Sequence, residues 1–146
     1  MAELTLSLIF MALDLTAEHK ILLALATSVQ KNAYAPYSNF YVGAAIIDEN
    51  AQHHASCNVE NAAYPLGQCA EAGAISSMIA SGSQQIRHIL IASPNNDFCP
   101  PCGGCRQKIA EFANDQTEVH LATQNGQLKT IKFTELLPLA FGFDKE

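Results

Sequence analysis

The chain of 146 residues contains no tryptophan, and its eight lysines and arginines are outnumbered by fourteen aspartates and glutamates. The basic residues form no run, and the formal net charge is −6. Because affinity for nucleic acids depends on neutralising phosphates with lysine and arginine, this composition argues against a nucleic-acid partner. The apolar fraction of 49 % and the charged fraction of 15 % predict a globular domain.

No apolar run is long enough to cross a membrane, which takes about 20 residues. The most apolar stretch near the start, Leu4 to Leu13, follows Glu3 instead of the basic residues that open a secretory signal. We therefore expect a cytoplasmic protein with no membrane partner. Translation from Met11 is a second possible start. We predict an N-terminal extension, disordered or frayed, over residues 1–15, and a single domain over residues 16–146.

Five cysteines are present, and three of them fall between Cys99 and Cys105. An odd number with such close spacing fits metal binding better than a disulfide framework. No histidine pair has ligand spacing, since His53 and His54 lie in a predicted hairpin and the other three histidines stand alone. The candidate metal ligands are therefore thiols.

Hydrophobic periodicity and turn residues predict helices and strands that alternate along most of the chain. The predicted elements are a helix from Thr16 to before Tyr34, strands Phe40–Ile47 and Gln52–Cys57, helix Cys69–Ala80, strand Ile86–Ala92, helix Cys102–Ala113, strands Val119–Ala122 and Leu128–Phe133, and a short helix Thr134–Leu137. Crossovers between strands require helices packed on a sheet. We therefore predict a three-layer α/β/α sandwich around a mixed five-strand sheet.

Two short motifs carry the chemistry: Cys69-Ala70-Glu71, and Pro101 to Cys105 with a Cys-x-x-Cys spacing. Cysteines at two helix starts, where the helix dipole favours a thiolate, can share one metal ion. Three thiolates leave a fourth zinc position open for water, and Glu71 can stand beside it without binding the metal. The alternatives are a structural zinc site, buried cysteines without metal, a redox pair of Cys99 with Cys102, or a closed four-thiolate site that includes Cys99. Because Pro100 and Pro101 hold an extended backbone before the helix, we expect Cys99 to point away from the site.

Several motifs together resemble the small homotetrameric cytidine deaminases, over residues 33–141. They are Tyr34 to Ser38, Phe40 to Ala45, Asn58 to Tyr64, Cys69 to Glu71, Pro101 to Gln107 and Glu135 to Pro138. The resemblance implies one zinc ion per subunit, bound by Cys69, Cys102 and Cys105, with Glu71 as the catalytic proton carrier. It implies hydrolysis of cytidine and deoxycytidine to uridine and deoxyuridine with release of ammonia, as in pyrimidine salvage.

The same resemblance implies which residues contact the nucleoside. They are Phe40 on the pyrimidine ring, Asn58 and Glu60 on the ribose, the backbone of Ala70, the carbonyl of Pro100, and Tyr64 and Phe141 from neighbouring subunits of a homotetramer. Each has a plainer alternative, such as a turn for Asn58 and Glu60 or core packing for Phe40. A carboxylate beside the sugar also repels phosphate, which favours free nucleosides. Deamination of a modified cytosine nucleoside or nucleoside antibiotic, or a non-catalytic zinc module, remain alternatives.

One departure from the family concerns the position after Glu71, where many relatives have arginine and this chain has Ala72. Three thiolates give a zinc centre a net charge of about −1, which weakens its effect on the pKa of bound water. We therefore expect the helix dipoles, Arg106 or the amide of Gln68 to offset this charge.

Overall fold

A computed structural model describes residues 15–145. Our prediction for residues 1–15 falls outside the described residues, apart from Leu15. The elements in chain order are α1 (Ala17–Gln30), β1 (Gly43–Asp48), β2 (His53–Cys57), a 3₁₀ turn (Tyr64–Leu66), α2 (Ala70–Ala80), β3 (Ile86–Ala92), α3 (Gly103–Phe112), β4 (Glu118–Ala122), β5 (Leu128–Lys132) and α4 (Phe133–Leu136).

The strands form one mixed sheet in the order β2-β1-β3-β4-β5. β3 and β4 are parallel, and α3 provides the crossover between them. The other neighbours are antiparallel. The mixed five-strand sheet predicted from the sequence is therefore confirmed.

Helices cover both faces of this sheet. Successive residues of a strand point to opposite faces, and in β1 Ala44 and Ile46 pack into a core formed with α2, α3 and α4. Ala45 and Ile47 pack on the other face, where Leu22 of α1 is fully buried. All six residues of β1 are buried, as expected for a strand covered on both sides. The three-layer arrangement is confirmed.

Two glycines allow the helices to approach the sheet closely. A Cβ atom on Gly43 would lie 2.0 Å from the carbonyl oxygen of Ala26 in α1. A Cβ atom on Gly73 of α2 would lie 2.2 Å from Oγ of Ser56 in β2. Side chains at either position would push a helix off the sheet, and α2 carries the first cysteine motif at its N-terminus. Gly73 therefore contributes to the placement of that motif.

The largest correction to a predicted strand boundary is at β1, which begins at Gly43 and not at Phe40, whereas the other strand boundaries shift by at most one residue. The side-chain amide of Asn58 donates to the carbonyl of Phe40 (2.8 Å), and its oxygen accepts from the N–H of Val42 (2.9 Å). These backbone groups have a side chain as their partner and need no neighbouring strand. Residues 40–42 therefore leave the sheet, which frees Phe40 from the pleated surface.

A buried carboxylate organises the turn between β1 and β2. Asp48 is fully buried and accepts hydrogen bonds from the N–H groups of Asn50 (2.8 Å) and Gln52 (2.9 Å), while His54 Nε2 lies 2.7 Å away. Burial alone would raise the pKa of Asp48, but its hydrogen bonds, led by that of His54, lower it to about 2. The turn also places Ala51 at φ +61°, in the left-handed region.

The last described residues, 137–145, form a C-terminal segment that lies along α3. Gln107 Nε2 donates to the carbonyl of Phe141 (2.9 Å), and Lys145 Nζ lies 3.1 Å from Oε1 of Glu111. Within residues 15–145, no helix combines the length and apolar character needed to cross a bilayer.

Candidate active site

The two cysteine motifs meet at the N-termini of two helices. Cys69 is the N-cap of α2 and Cys102 is the N-cap of α3, while Cys105 lies one turn further along α3. The three sulfur atoms lie within 4.8 Å of one another, and the Sγ atoms of Cys69 and Cys102 are 4.0 Å apart. Tetrahedral zinc with bonds of about 2.3 Å to sulfur separates its sulfur ligands by about 3.8 Å. The three thiols therefore fit one zinc ion.

The local electrostatics favour a thiolate in this cluster. A hydrogen bond from Cys105 lowers the pKa of Cys69 to about 6, against an opposing contribution from burial. The same hydrogen bond raises the pKa of Cys105. Neither Cys69 nor Cys102 uses its side chain to cap its helix. Their sulfurs thus remain available beside the positive ends of two helix dipoles.

Glu71 occupies the first turn of α2 and is 4 % exposed. It lines a cavity of about 190 Å³ together with Cys69 and Cys102. A hydrogen bond with Glu71 contributes to the raised pKa of Cys105, so the carboxylate also lies next to the third thiol. A buried carboxylate is thus placed against the sulfur cluster and faces the same cavity.

Four of the predicted substrate contacts line this cavity: Phe40, Asn58, Ala70 and Pro100. Two lining residues, Val42 and Cys99, were not predicted. Val42 belongs to the segment that Asn58 detaches from the sheet, and the sequence pattern assigned it to the strand. The position of Cys99 corrects the expectation that it points away from the site. It remains outside the group of three sulfurs found among the described residues.

The thiol of Cys99 differs from that of Cys69 in the direction of its pKa shift. It is partly buried, and burial raises its pKa to about 11, with further contributions from the negative groups of Glu71, Cys69 and Cys102. Cys99 therefore stays protonated at neutral pH and forms part of the cavity wall.

Glu60 and Tyr64 line a second cavity, of about 330 Å³, together with Tyr37 and Ser38. The Glu60 carboxylate accepts hydrogen bonds from the N–H groups of Tyr37 (3.0 Å) and Ser38 (3.1 Å) and from the Ser38 hydroxyl. The hydroxyl bond is the main reason that the pKa of Glu60 is lowered. Like Asn58, Glu60 therefore holds the loop that precedes β1, which the sequence did not reveal.

Phe141 lines neither of these two cavities of the described chain. Its side chain is 70 % exposed, that of Tyr64 is 76 % exposed, and Leu139 is fully exposed. The ring of Phe141 contacts that of Phe143, with centroids 5.2 Å apart. Both predicted cross-subunit residues thus present apolar rings to the surface of this chain.

Arg106 does not hydrogen-bond to the sulfurs in the described structure. Its Nε donates to the carbonyl of Pro101 (2.9 Å) and its Nη1 to the carbonyl of Leu136 (3.1 Å). Gln68 is held by backbone hydrogen bonds to Val59. The two helix N-termini, which we also expected to compensate the charge, lie directly at the thiols.

The chain matches a family model described as "Cytidine and deoxycytidylate deaminase zinc-binding region" over residues 16–121. It is 36 % identical over 120 residues to a cytidine deaminase of Sporosarcina psychrophila, covering 82 % of this chain and 88 % of that protein. A cytidine deaminase of Halalkalibacterium halodurans is also 36 % identical, over 124 residues, which cover 85 % of this chain and 94 % of the relative.

A solved structure shows the same architecture. The crystal structure of a cytidine deaminase from Burkholderia pseudomallei matches with a TM-score of 0.80 and 38 % identity, over 84 % of this chain and 98 % of that chain. These matches confirm the resemblance read from the motifs and agree with a zinc cofactor at the three-cysteine cluster. This chain therefore belongs to the cytidine and deoxycytidylate deaminase family.

Proposed function

We propose that this chain is a zinc-dependent cytidine deaminase, which hydrolyses cytidine and deoxycytidine to uridine and deoxyuridine with release of ammonia. The observation that carries the proposal is the convergence of three cysteine sulfurs and the buried Glu71 on one cavity. A structural zinc site binds four protein ligands and has no use for a buried carboxylate beside them. A three-ligand site with an adjacent acid–base group is what hydrolysis requires.

Cys69, Cys102 and Cys105 would hold the zinc ion. When bound, zinc lowers the pKa of a water molecule and so supplies a nucleophile at neutral pH. Glu71 accepts the proton of the attacking water and delivers it to ring nitrogen 3 of cytosine as carbon 4 becomes tetrahedral. The same carboxyl group then takes the proton of the new hydroxyl on carbon 4 and passes it to the amino group, which leaves as ammonia while the carbonyl of the product forms. One carboxyl can act in both directions because it is placed beside the reacting atoms and shielded from bulk water.

The backbone at the cavity complements a cytosine ring. Ala70 is the first residue of α2, where N–H groups have no partner within the helix and can bind a base carbonyl. Pro100 keeps a carbonyl oxygen that can accept a hydrogen bond from an exocyclic amino group. Phe40 supplies an aromatic face for the ring. These groups support a place for the base in the 190 Å³ cavity.

The substrate class follows from the groups near the sugar. Glu60 remains ionised because its hydrogen bonds lower its pKa, and a carboxylate accepts hydroxyl hydrogen bonds but repels phosphate. Asn58 and Glu60 both accept hydrogen bonds from the segment between Tyr37 and Val42, which supports the proposal that they act together at the sugar. We propose a preference for nucleosides over nucleotides.

We further propose a homotetramer in a cytoplasmic setting. The exposed rings of Tyr64 and Phe141 support association between subunits, because large apolar groups at a surface are stabilised when another subunit buries them. The free thiols at the site support a reducing compartment. Sedimentation of the zinc-loaded protein should give four times the chain mass of 15.7 kDa. A monomer that retains full activity would contradict the proposed roles of Tyr64 and Phe141.

Purified zinc-loaded protein tests the activity directly. We expect the ultraviolet absorbance of cytidine to fall with time and ammonia to appear in equal amount, and both should stop after zinc is removed by a chelator. Cytidine 5′-monophosphate, which differs from cytidine only by its phosphate group, should react much more slowly than cytidine. If the zinc-loaded protein converts neither compound, the proposed activity is wrong.

A further inference from the structure

The Pro100–Pro101 loop precedes the second cysteine motif and has no backbone N–H group that could tie it to the rest of the domain. Proline has no N–H group, so neither residue can donate a backbone hydrogen bond. The loop can be fixed through its carbonyl oxygens, which need donors from elsewhere. It also carries two groups that the proposed mechanism uses, the Pro100 carbonyl and the thiol of Cys102.

Arg106 supplies such a donor. Its side chain turns back from the first turns of α3, and Nε donates to the Pro101 carbonyl at 2.9 Å. This carbonyl belongs to the peptide bond that leads into Cys102. The second donor, Nη1, binds the carbonyl of Leu136 at 3.1 Å. Leu136 is buried in the larger core at the end of α4, so it forms a fixed anchor.

The planar guanidinium therefore joins a loop without donors of its own to the core of the domain. Both donor nitrogens belong to one rigid group, so the two carbonyl oxygens are held at a set separation. Lysine keeps the positive charge but offers a single nitrogen, and it cannot reproduce this two-point link.

We propose that Arg106 is a positioning residue, which sets the places of the Pro100 carbonyl and the Cys102 thiol through the Pro101 peptide. This inference rests on the proposed function for the roles of those two groups. It replaces the expectation that Arg106 balances the charge of the thiolates, because both of its hydrogen bonds are made to backbone carbonyls of the described chain.

The test compares Arg106→Lys and Arg106→Ala with the same substitutions at Arg87, the only other arginine of the chain, which is exposed on β3. We expect both Arg106 variants to lower kcat/KM for cytidine by about 10- to 100-fold, as for loss of a hydrogen bond from a charged group. The pH–rate profile should keep its shape. Both variants should also release zinc to a chelator faster than the wild type, whereas the Arg87 variants should match it.

Two results would overturn the proposal. If Arg106→Lys retains wild-type kcat/KM while Arg106→Ala loses it, or if only the alanine variant shifts the pH–rate profile, Arg106 acts through its charge. If both variants match the wild type in kcat/KM or in the rate of zinc release, Arg106 does not position the loop. Thermal melting followed by circular dichroism shows whether each variant folds. If Arg106→Ala does not fold, the test uses Arg106→Lys, which keeps a long side chain.

Zinc release also separates this inference from the proposed activity. If the wild type deaminates no cytidine, the proposed function fails, but the release rates of the Arg106 variants still decide whether Arg106 holds the loop. If release is unaffected while wild-type activity is present, the positioning role fails alone.

Discussion

Glu71 combines burial, contact with the thiol cluster and a place on the cavity wall. Glutamine has nearly the same shape but cannot accept and return a proton. We expect Glu71→Gln to reduce kcat by about 10²- to 10⁴-fold, the usual contribution of a positioned acid–base group. Zinc content, measured by atomic absorption, should stay at one per subunit.

Glu135→Gln, at an exposed glutamate of α4, is the matched control and should leave the rate unchanged. Full turnover by a zinc-loaded Glu71→Gln enzyme would show that another group moves the proton.

The position of Cys99 in the cavity wall distinguishes an open zinc site with three thiolate ligands from a closed site with four. Because Cys99 lies outside the sulfur group and its pKa is raised to about 11, we expect it to bind no zinc. Removal of zinc should therefore expose three additional thiols to a thiol reagent, both in the wild type and in Cys99→Ala. A gain of four thiols in the wild type, reduced to three in Cys99→Ala, would establish the closed site.

The sequence predicted residue types at the site better than side-chain directions. Motif spacing placed Cys69, Cys102 and Cys105 together because helix starts are recognisable from sequence. It misplaced Cys99, because the direction of a loop side chain depends on packing that spacing does not encode. The contacts of Arg106 escaped prediction for a related reason, since Leu136, which it binds, lies far away in the chain.

Among the secondary-structure elements, the β1–β2 turn holds a residue in an unfavourable conformation. Ala51 has φ +61°, and the left-handed region costs a residue with a Cβ atom about 1 kcal/mol or more. Glycine adopts this region freely, but its greater conformational entropy in the unfolded chain offsets part of the gain in stability. We expect Ala51→Gly to stabilise the fold by up to about 1 kcal/mol in urea unfolding followed by circular dichroism.

The matched control is Ala24→Gly, at an exposed position inside α1. There glycine should destabilise the protein by about 1 kcal/mol, because helix propensity is the main difference. Equal destabilisation by both substitutions would mean that the turn does not strain Ala51.

The order and type of the elements followed from periodicity, but two kinds of boundary did not. Cys69 and Cys102 proved to be N-caps instead of first helical residues, which moves each helix start by one residue. Phe40 proved to lie outside β1 because its carbonyl accepts a hydrogen bond from the Asn58 side chain and its N–H donates to the Ser38 hydroxyl. Both shifts arise from hydrogen bonds of the backbone, which hydrophobic patterning cannot predict.

For the whole domain, a histidine cluster between α1 and the sheet makes stability depend on pH. His120 is fully buried, its Nε2 lies 3.1 Å from Nδ1 of His88, and its Nδ1 lies 2.8 Å from Oγ1 of Thr130. The ring of His19 contacts it edge-on, with centroids 4.6 Å apart. Burial, more than the nearby histidines, lowers the pKa of His120 to about 3.

Since the folded pKa lies below the unfolded value near 6.5, the unfolded chain binds the proton more tightly. The contribution of neutral His120 to the free energy of unfolding is therefore complete above pH 6.5 and is lost as the pH falls toward 3. At pH 5 we expect a loss of about 2 kcal/mol relative to pH 7. His120→Gln should flatten this dependence in urea unfolding curves, whereas His53→Gln, at an exposed histidine, should not. An unchanged slope in His120→Gln would assign the acid sensitivity to other groups.

The fastening of the loop before β1 has a consequence for how this family can diversify. The side chains of Asn58 and Glu60 hold residues 37–42 together with Gln30 of α1, which donates to the Tyr41 carbonyl, and no strand ladder includes these residues. A loop attached in this way can be replaced by one of different length or composition without a change in strand register. Phe40, the aromatic residue of this loop at the cavity, can therefore vary independently of the zinc-binding helices, so that the proposed contact with the base and the binding of metal are open to separate selection, natural or in the laboratory.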